Sequence, residues 1–141
     1  MTYEYKRVVK YYETDRMGIV HHSNYIRWFE EARVEFMREA DLSYKTMEDE
    51  GIMIPVVSVD CRYKNPASFD DEITIYTKVR KYNGIVIELE YEVRRDSDTV
   101  VIVTGSSSHC FVDAKSFKPI NLKRTRPDMH GKFAAITEDD I

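Results

Sequence analysis

Between residues 24 and 40, apolar side chains recur at three- and four-residue intervals, with Tyr25, Trp28, Phe29, Ala32 and Phe36 on one face. That period predicts an amphipathic helix. Ile26 and Met37 widen the stripe, leaving mainly Arg27, Glu31, Glu35, Arg38 and Glu39 for solvent. A helix this apolar requires a covering layer. A shorter helix is expected over 44–50, ended by Gly51, which tolerates the positive φ of a helix C-terminus.

Past Gly51 the period drops to two. Val57, Val59, Cys61 and Tyr63 alternate with Ser58, Asp60, Arg62 and Lys64, the pattern of a strand with one covered face, and Asn65-Pro66 closes it. Over 72–82, Ile73, Ile75, Thr77 and Val79 alternate with polar neighbours. Asn83-Gly84 then predicts a type I′ hairpin turn, with positive φ at both residues. The return strand, 85–95, turns Ile85, Ile87, Leu89, Tyr91 and Val93 inward. A last strand over 99–112 is apolar on both sides across 100–103, as a central strand covered on both faces should be.

Aromatic and β-branched residues predict a first strand over 3–12. From about residue 119 the signals thin to Pro119, Pro127, Gly131 and an acidic end at 138–140, so a mostly irregular tail is expected, with room for a short helix. Strand, helix, then four strands on short turns describe an α+β domain with an antiparallel meander, and periodicity shows no more than that. Residues 1–141 are read as a single domain of ordinary size.

Composition narrows the partners. A formal charge of −4 argues against nucleic acid as the main partner. The polar opening TYEYKRVVKYYE lacks the apolar centre of a secretory signal, and no apolar run reaches bilayer length, so a cytoplasmic protein without a membrane span is expected. Cys61 and Cys110 show neither disulfide nor zinc spacing and are read as small buried hydrophobes.

The chemistry concentrates where the long helix begins. Asp15, Gly18 and the pair His21-His22 lie in the loop that enters it, and Ser23 or Asn24 can cap it by accepting from its first free N–H groups. A helix N-terminus offers unpaired N–H donors and a partial positive charge, which suit a carbonyl oxygen becoming an oxyanion. A carboxylate a few residues upstream can then act on the same carbonyl. Standing alone, Asp15 reads as a turn residue, His22 as a satisfied polar neighbour, and Glu30 with Arg33 as a surface ion pair three residues apart.

Tyr12, Thr14, Asp15, Gly18, Val20, His22, Asn24, Tyr25, Phe29, Glu30, Ala32 and Arg33 together resemble the active-site segment of the hotdog-fold acyl-CoA thioesterases, the family of 4-hydroxybenzoyl-CoA thioesterase and the YbgC-like enzymes. The resemblance implies a hotdog fold and hydrolysis of an acyl-CoA to free acid and coenzyme A. Asp15 would attack the thioester or deprotonate a water that does. Residue 22 would supply the oxyanion N–H, with its imidazole near the reacting region. Gly18, Tyr25 and Glu30 would border the substrate, although Tyr25 by its pattern packs rather than reacts. A homodimer or homotetramer, with sites at the subunit interface, is implied as well.

Basic residues should line the approach of the coenzyme A phosphates, and Arg62, Lys64, Lys123 and Arg124 are the candidates. Other plans fail on spacing. Gly105-Ser106-Ser107-Ser108-His109 is not G-x-S-x-G, and its small residues suit close packing. Adjacent histidines cannot ligate as H-E-x-x-H does, and no glycine loop cradles phosphate, so neither a metal nor a nucleotide cofactor is expected. Within the same fold two further readings stand: a non-catalytic domain that binds an acyl-CoA or acyl-carrier ligand, and a dehydratase, which uses a different arrangement of His and acid.

Overall fold

The structure is a computed structural model that describes residues 1–137, so the acidic end at 138–140 lies outside the described residues. Strand β1 (Thr2–Val8) leads through a 3-10 turn at Tyr11–Glu13 to the long helix α1 (Ser23–Glu39) and the short α2 (Tyr44–Asp49). Strands β2 (Ile52–Met53), β3 (Val56–Tyr63), β4 (Glu72–Tyr82), β5 (Val86–Arg95), β6 (Val101–Cys110) and β7 (Val112–Asp113) follow, then helices α3 (Leu122–Thr125) and α4 (Pro127–Ile136). Five strands form one antiparallel sheet in the order β1-β4-β5-β6-β3, and β2 pairs with β7. The sheet wraps α1, which is the hotdog arrangement.

Helix α1 is where the pattern of Trp28, Phe29, Ala32 and Phe36 places it, and all four are buried. Ile73, Ile75 and Val79 of β4 and Leu89, Tyr91 and Val93 of β5 belong to the same core. Phe29 stacks on Tyr91 with ring centres 4.3 Å apart. Burial of each large side chain contributes about 1.5–3 kcal/mol as an upper bound. Gly105 shows why small residues occupy β6. A Cβ there would lie 2.5 Å from both the Phe29 ring and the Asp60 carbonyl, so α1 rests directly on the strand backbone.

Several expectations need correction. The first strand stops at Val8, because Glu13 turns back on the backbone: its Oε1 accepts from Lys10 N–H at 2.8 Å and closes the 3-10 turn. Strand β3, the sheet's last strand, is covered only in part on its expected face: Val59 and Tyr63 lie against α1, yet Val57 is 63% and Tyr63 52% exposed, and the register shifts between Val56 and Ser58. The Asn83 turn is not type I′: Gly84 alone takes positive φ, while Asn83 acts through its side-chain oxygen, accepting from Ile85 and Val86 N–H. Ile85 is therefore an exposed loop residue rather than the start of β5. Cys61 and Cys110 are free but only half-buried.

The largest miss is the tail. Asn121 caps α3, Pro127 sits in the first turn of α4, and Met129, Phe133 and Ile136 bury one face of that helix. Tyr82 joins it to β4, with its hydroxyl 2.8 Å from His130 Nδ1. Gly51, by contrast, ends α2 as expected, at φ +81° with its N–H donating to Glu48 O.

Candidate active site

The loop before α1 is a small antiparallel ladder. His21 N–H donates to Glu13 O, Thr14 bridges Val20, and Asp15 N–H donates to Ile19 O at 2.8 Å. Asp15 therefore sits at the turn. Its Oδ1 accepts from Met17 N–H at 2.8 Å, while Oδ2 makes no hydrogen bond among the described residues. Gly18 supplies the positive φ of this turn, +81°, in open space, so the structure gives it a conformational role. No side chain packs against it there.

Glu13, to which the sequence reading assigned no role, anchors the ladder. Its buried carboxylate accepts from Arg7 Nη1 at 2.9 Å on both oxygens, from Trp28 Nε1 at 2.7 Å and from Lys10 N–H, while its carbonyl receives Asn24 Nδ2. Burial alone would raise its pKa, but the Arg7, Trp28 and Lys10 hydrogen bonds outweigh that and hold it below the usual carboxylate range. A folded-state pKa below the unfolded one adds stability at neutral pH that is lost as pH falls through the folded value. Glu13→Gln should destabilise the protein by about 3 kcal/mol, the effect of breaking a buried pair. The gap from wild type in denaturant midpoint should close in strong acid. Identical midpoints at pH 7 would refute this anchoring role.

At the helix entrance neither expected cap operates. His22 occupies the N-cap position with helical φ and ψ of −54° and −29°, and the His21 Nδ1 takes the Ser23 N–H at 3.3 Å. Asn24 is committed to Glu13. The His22 N–H has no partner among the described residues. The two imidazoles stack at 4.2 Å, and both are exposed. Tyr63 of β3 reaches over, its hydroxyl 3.5 Å from the His22 carbonyl, too long for a strong hydrogen bond. The entrance to α1 thus lies beside the free edge of the sheet.

Tyr25 is 3% exposed, packed against Trp28 and Tyr63, and burial pushes its hydroxyl up to about 12. It packs, as its pattern implied. Glu30 and Arg33 form no ion pair with each other. Glu30 is exposed, whereas Arg33 is 7% exposed and donates through Nε to Tyr44 Oη at 2.7 Å and through Nη1 to Tyr91 Oη at 3.0 Å. Both residues line a cavity of about 120 Å³ between α1 and β3, together with Phe29, Val56, Val59 and Ser107. A larger concavity, about 820 Å³, lies on the sheet's other face among charges such as Arg62, Lys78 and Glu90, and Asp15 and His22 border neither of the two.

The basic candidates separate. Arg62 and Lys64 lie at the end of β3 beside Tyr63, while Lys123 and Arg124 lie on α3, which is tied to the Gly84 loop at the far end of β5. Within one chain the two pairs lie at opposite ends of the sheet.

A five-stranded antiparallel sheet wrapped around one apolar helix defines the class as a hotdog-fold protein. The chain belongs to the Thioesterase-like superfamily, whose pattern it matches over residues 9–135. It is 36% identical to YneP of Bacillus subtilis over 125 residues, covering 89% of this chain and 90% of that one. Identity to the acyl-CoA thioesterase YbgC of Haemophilus influenzae is 28%, covering 79% and 82%. Its fold matches a DHNA-CoA thioesterase from Staphylococcus aureus with a TM-score of 0.90 at 31% identity, covering 96% of this chain and 90% of that one. The chain is an acyl-CoA thioesterase at the level of its family. No helix among the described residues is long and apolar enough to cross a membrane.

Proposed function

We propose that this chain hydrolyses an acyl-CoA with Asp15 as nucleophile or general base and with the His22 N–H holding the oxyanion. The observation that carries the reading is the unpartnered N–H of His22 at the start of α1, where the helix dipole adds positive potential. Asp15 pairs with Ile19, three residues before His22, so one ladder width of about 5 Å plus three extended residues keeps the two backbones within about 15 Å of each other. A thioester bound between them would present its carbonyl to both groups. Oδ2 of Asp15 is free to act while Oδ1 holds the turn.

As a base, Asp15 takes a proton from water as the water oxygen bonds to the acyl carbon; the C–S bond then breaks and the thiolate is protonated. As a nucleophile, Asp15 Oδ2 bonds to the acyl carbon, the C–S bond breaks and coenzyme A leaves as the thiolate, which is then protonated; water cleaves the resulting mixed anhydride to the free acid and restores the Asp15 carboxylate. Both routes place negative charge on the carbonyl oxygen at the same N–H. A thiol-release assay over a panel of acyl-CoAs tests the reading. Tight binding without thiol release from any of them would point instead to a non-catalytic binding domain.

Assembly belongs to the same proposal. Strand β3 leaves its outer edge unpaired, and Val56, Val57, Val59 and Tyr63 are exposed along it. Such an edge invites pairing, and a second copy of the chain would satisfy it. Sedimentation at micromolar concentration is expected to show a dimer or a tetramer. Finding monomer alone would overturn this part.

A further inference from the structure

Arg33 is a buried cation without a counter-charge. Its hydrogen-bond acceptors are two tyrosine hydroxyls, and no carboxylate lies within ion-pair distance among the described residues. The chain beyond Tyr91 is neutral too. Tyr91 Oη lies 2.6 Å from Ser107 Oγ, which in turn lies 2.7 Å from His109 Nε2, so a run of hydroxyls and an imidazole continues inward from Arg33. Burial, with the nearby Arg33, pushes His109 down to about 4, so it is uncharged at neutral pH. The Ile54 backbone favours the charged ring only slightly and closes no hydrogen bond to Nδ1.

Burying a guanidinium away from any anion is unfavourable unless something pairs with it. Arg33 lines the cavity between α1 and β3, and its Nη2 has no partner among the described residues and is not sealed off by protein. The walls are otherwise mainly apolar, from Phe29, Val56 and Val59, and at the mouth Arg27 and Glu30 oppose each other in charge. About 120 Å³ is close to the size of a benzene-holding cavity, which suits a short acyl group.

Resting on the thioesterase reading above, we infer that this cavity receives the acyl group, and that Arg33 determines specificity by pairing with a carboxylate at its far end. The substrate class is the coenzyme A half-thioester of a short dicarboxylic acid. Nε and Nη1 already donate to tyrosine hydroxyls, so Nη2 is the nitrogen left to meet a carboxylate, through a charge-assisted hydrogen bond that a neutral acyl end cannot match. Helical rise puts residue 33 roughly 16 Å beyond residue 22, and a helical side chain leans back toward the N-terminus, shortening that span. With hydrogen bonds at both ends, a chain of about four to six carbons bridges the remainder.

The test compares kcat/KM for succinyl-, glutaryl- and adipyl-CoA with that for butanoyl-, pentanoyl- and hexanoyl-CoA. Wild type should prefer one or more of the diacids over its equal-length partner by about tenfold or more. Arg33→Gln should abolish that ratio and Arg33→Lys should keep part of it; a ratio between substrates is insensitive to general damage from the substitution. An unchanged ratio in Arg33→Gln, a wild-type preference for plain chains, or a preference for 4-hydroxybenzoyl-CoA with no gain for diacids would each overturn the inference. If nothing is hydrolysed, the catalytic reading fails separately. Calorimetry of the same pairs on Asp15→Asn then decides the Arg33 site by the same difference in affinity.

Discussion

Asp15→Asn is expected to lose about 10²-fold or more in turnover while folding normally, because general-base assistance alone is typically worth that much. The structure makes the substitution clean. Oδ1 accepts from Met17 N–H, and the asparagine oxygen can do the same, so the turn through Gly18 keeps its closing bond. No other hydrogen bond or ion pair among the described residues uses the Asp15 side chain. What the change removes is the charge that either route requires. Steady-state thiol release, paired with a denaturation midpoint matching wild type, provides the check. A folded Asn variant that turns over near the wild-type rate would sink the role assigned to Asp15.

Helix α1 was legible because its period is dictated by a single burial surface, and β4 and β5 were legible because each alternates cleanly against that helix. Strand β3 misled for a physical reason: Val57, Val59 and Tyr63 alternate like a covered strand, yet within one chain α1 covers them only in part. Alternation reports that a face is to be buried, not by which chain. The tail misled because Pro127 and Gly131 read as breakers, although proline is favoured in a first helical turn and the Met129, Phe133, Ile136 spacing was present.

At the site the order of residues nominates Asp15 and His22 for the proposed chemistry, while two buried charged residues leave little trace in it. Glu13 receives no role from its local pattern, and Arg33 reads as half of a surface pair. Their burial arises from contacts with Arg7 and Trp28 in one case and with Tyr44 and Tyr91 in the other, partners up to 58 residues away. Local spacing carries no trace of such contacts. A charged residue on the apolar stripe of a helix was the one available signal, since Arg33 directly follows Ala32 and lies four residues beyond Phe29.

The contrast between His22→Ala and His22→Pro separates backbone from side-chain chemistry. Alanine retains the N–H and should keep a sizeable part of the activity if that donor holds the oxyanion. Proline removes it, and losing one such donor typically costs about 10²-fold to 10³-fold in turnover. The site tolerates the ring well on two counts. The φ of His22, −54°, lies within proline's range, and its N–H donates to nothing among the described residues, so no native hydrogen bond is lost. Proline does restrict His21, whose Nδ1 takes the Ser23 N–H, so the variant must match the Ala variant in denaturation midpoint before rates are compared. With that match, the proline variant should be at least tenfold slower than the alanine variant. Equal and severe losses would transfer the work to the imidazole. Equal and mild losses would move the oxyanion site away from the start of α1 altogether.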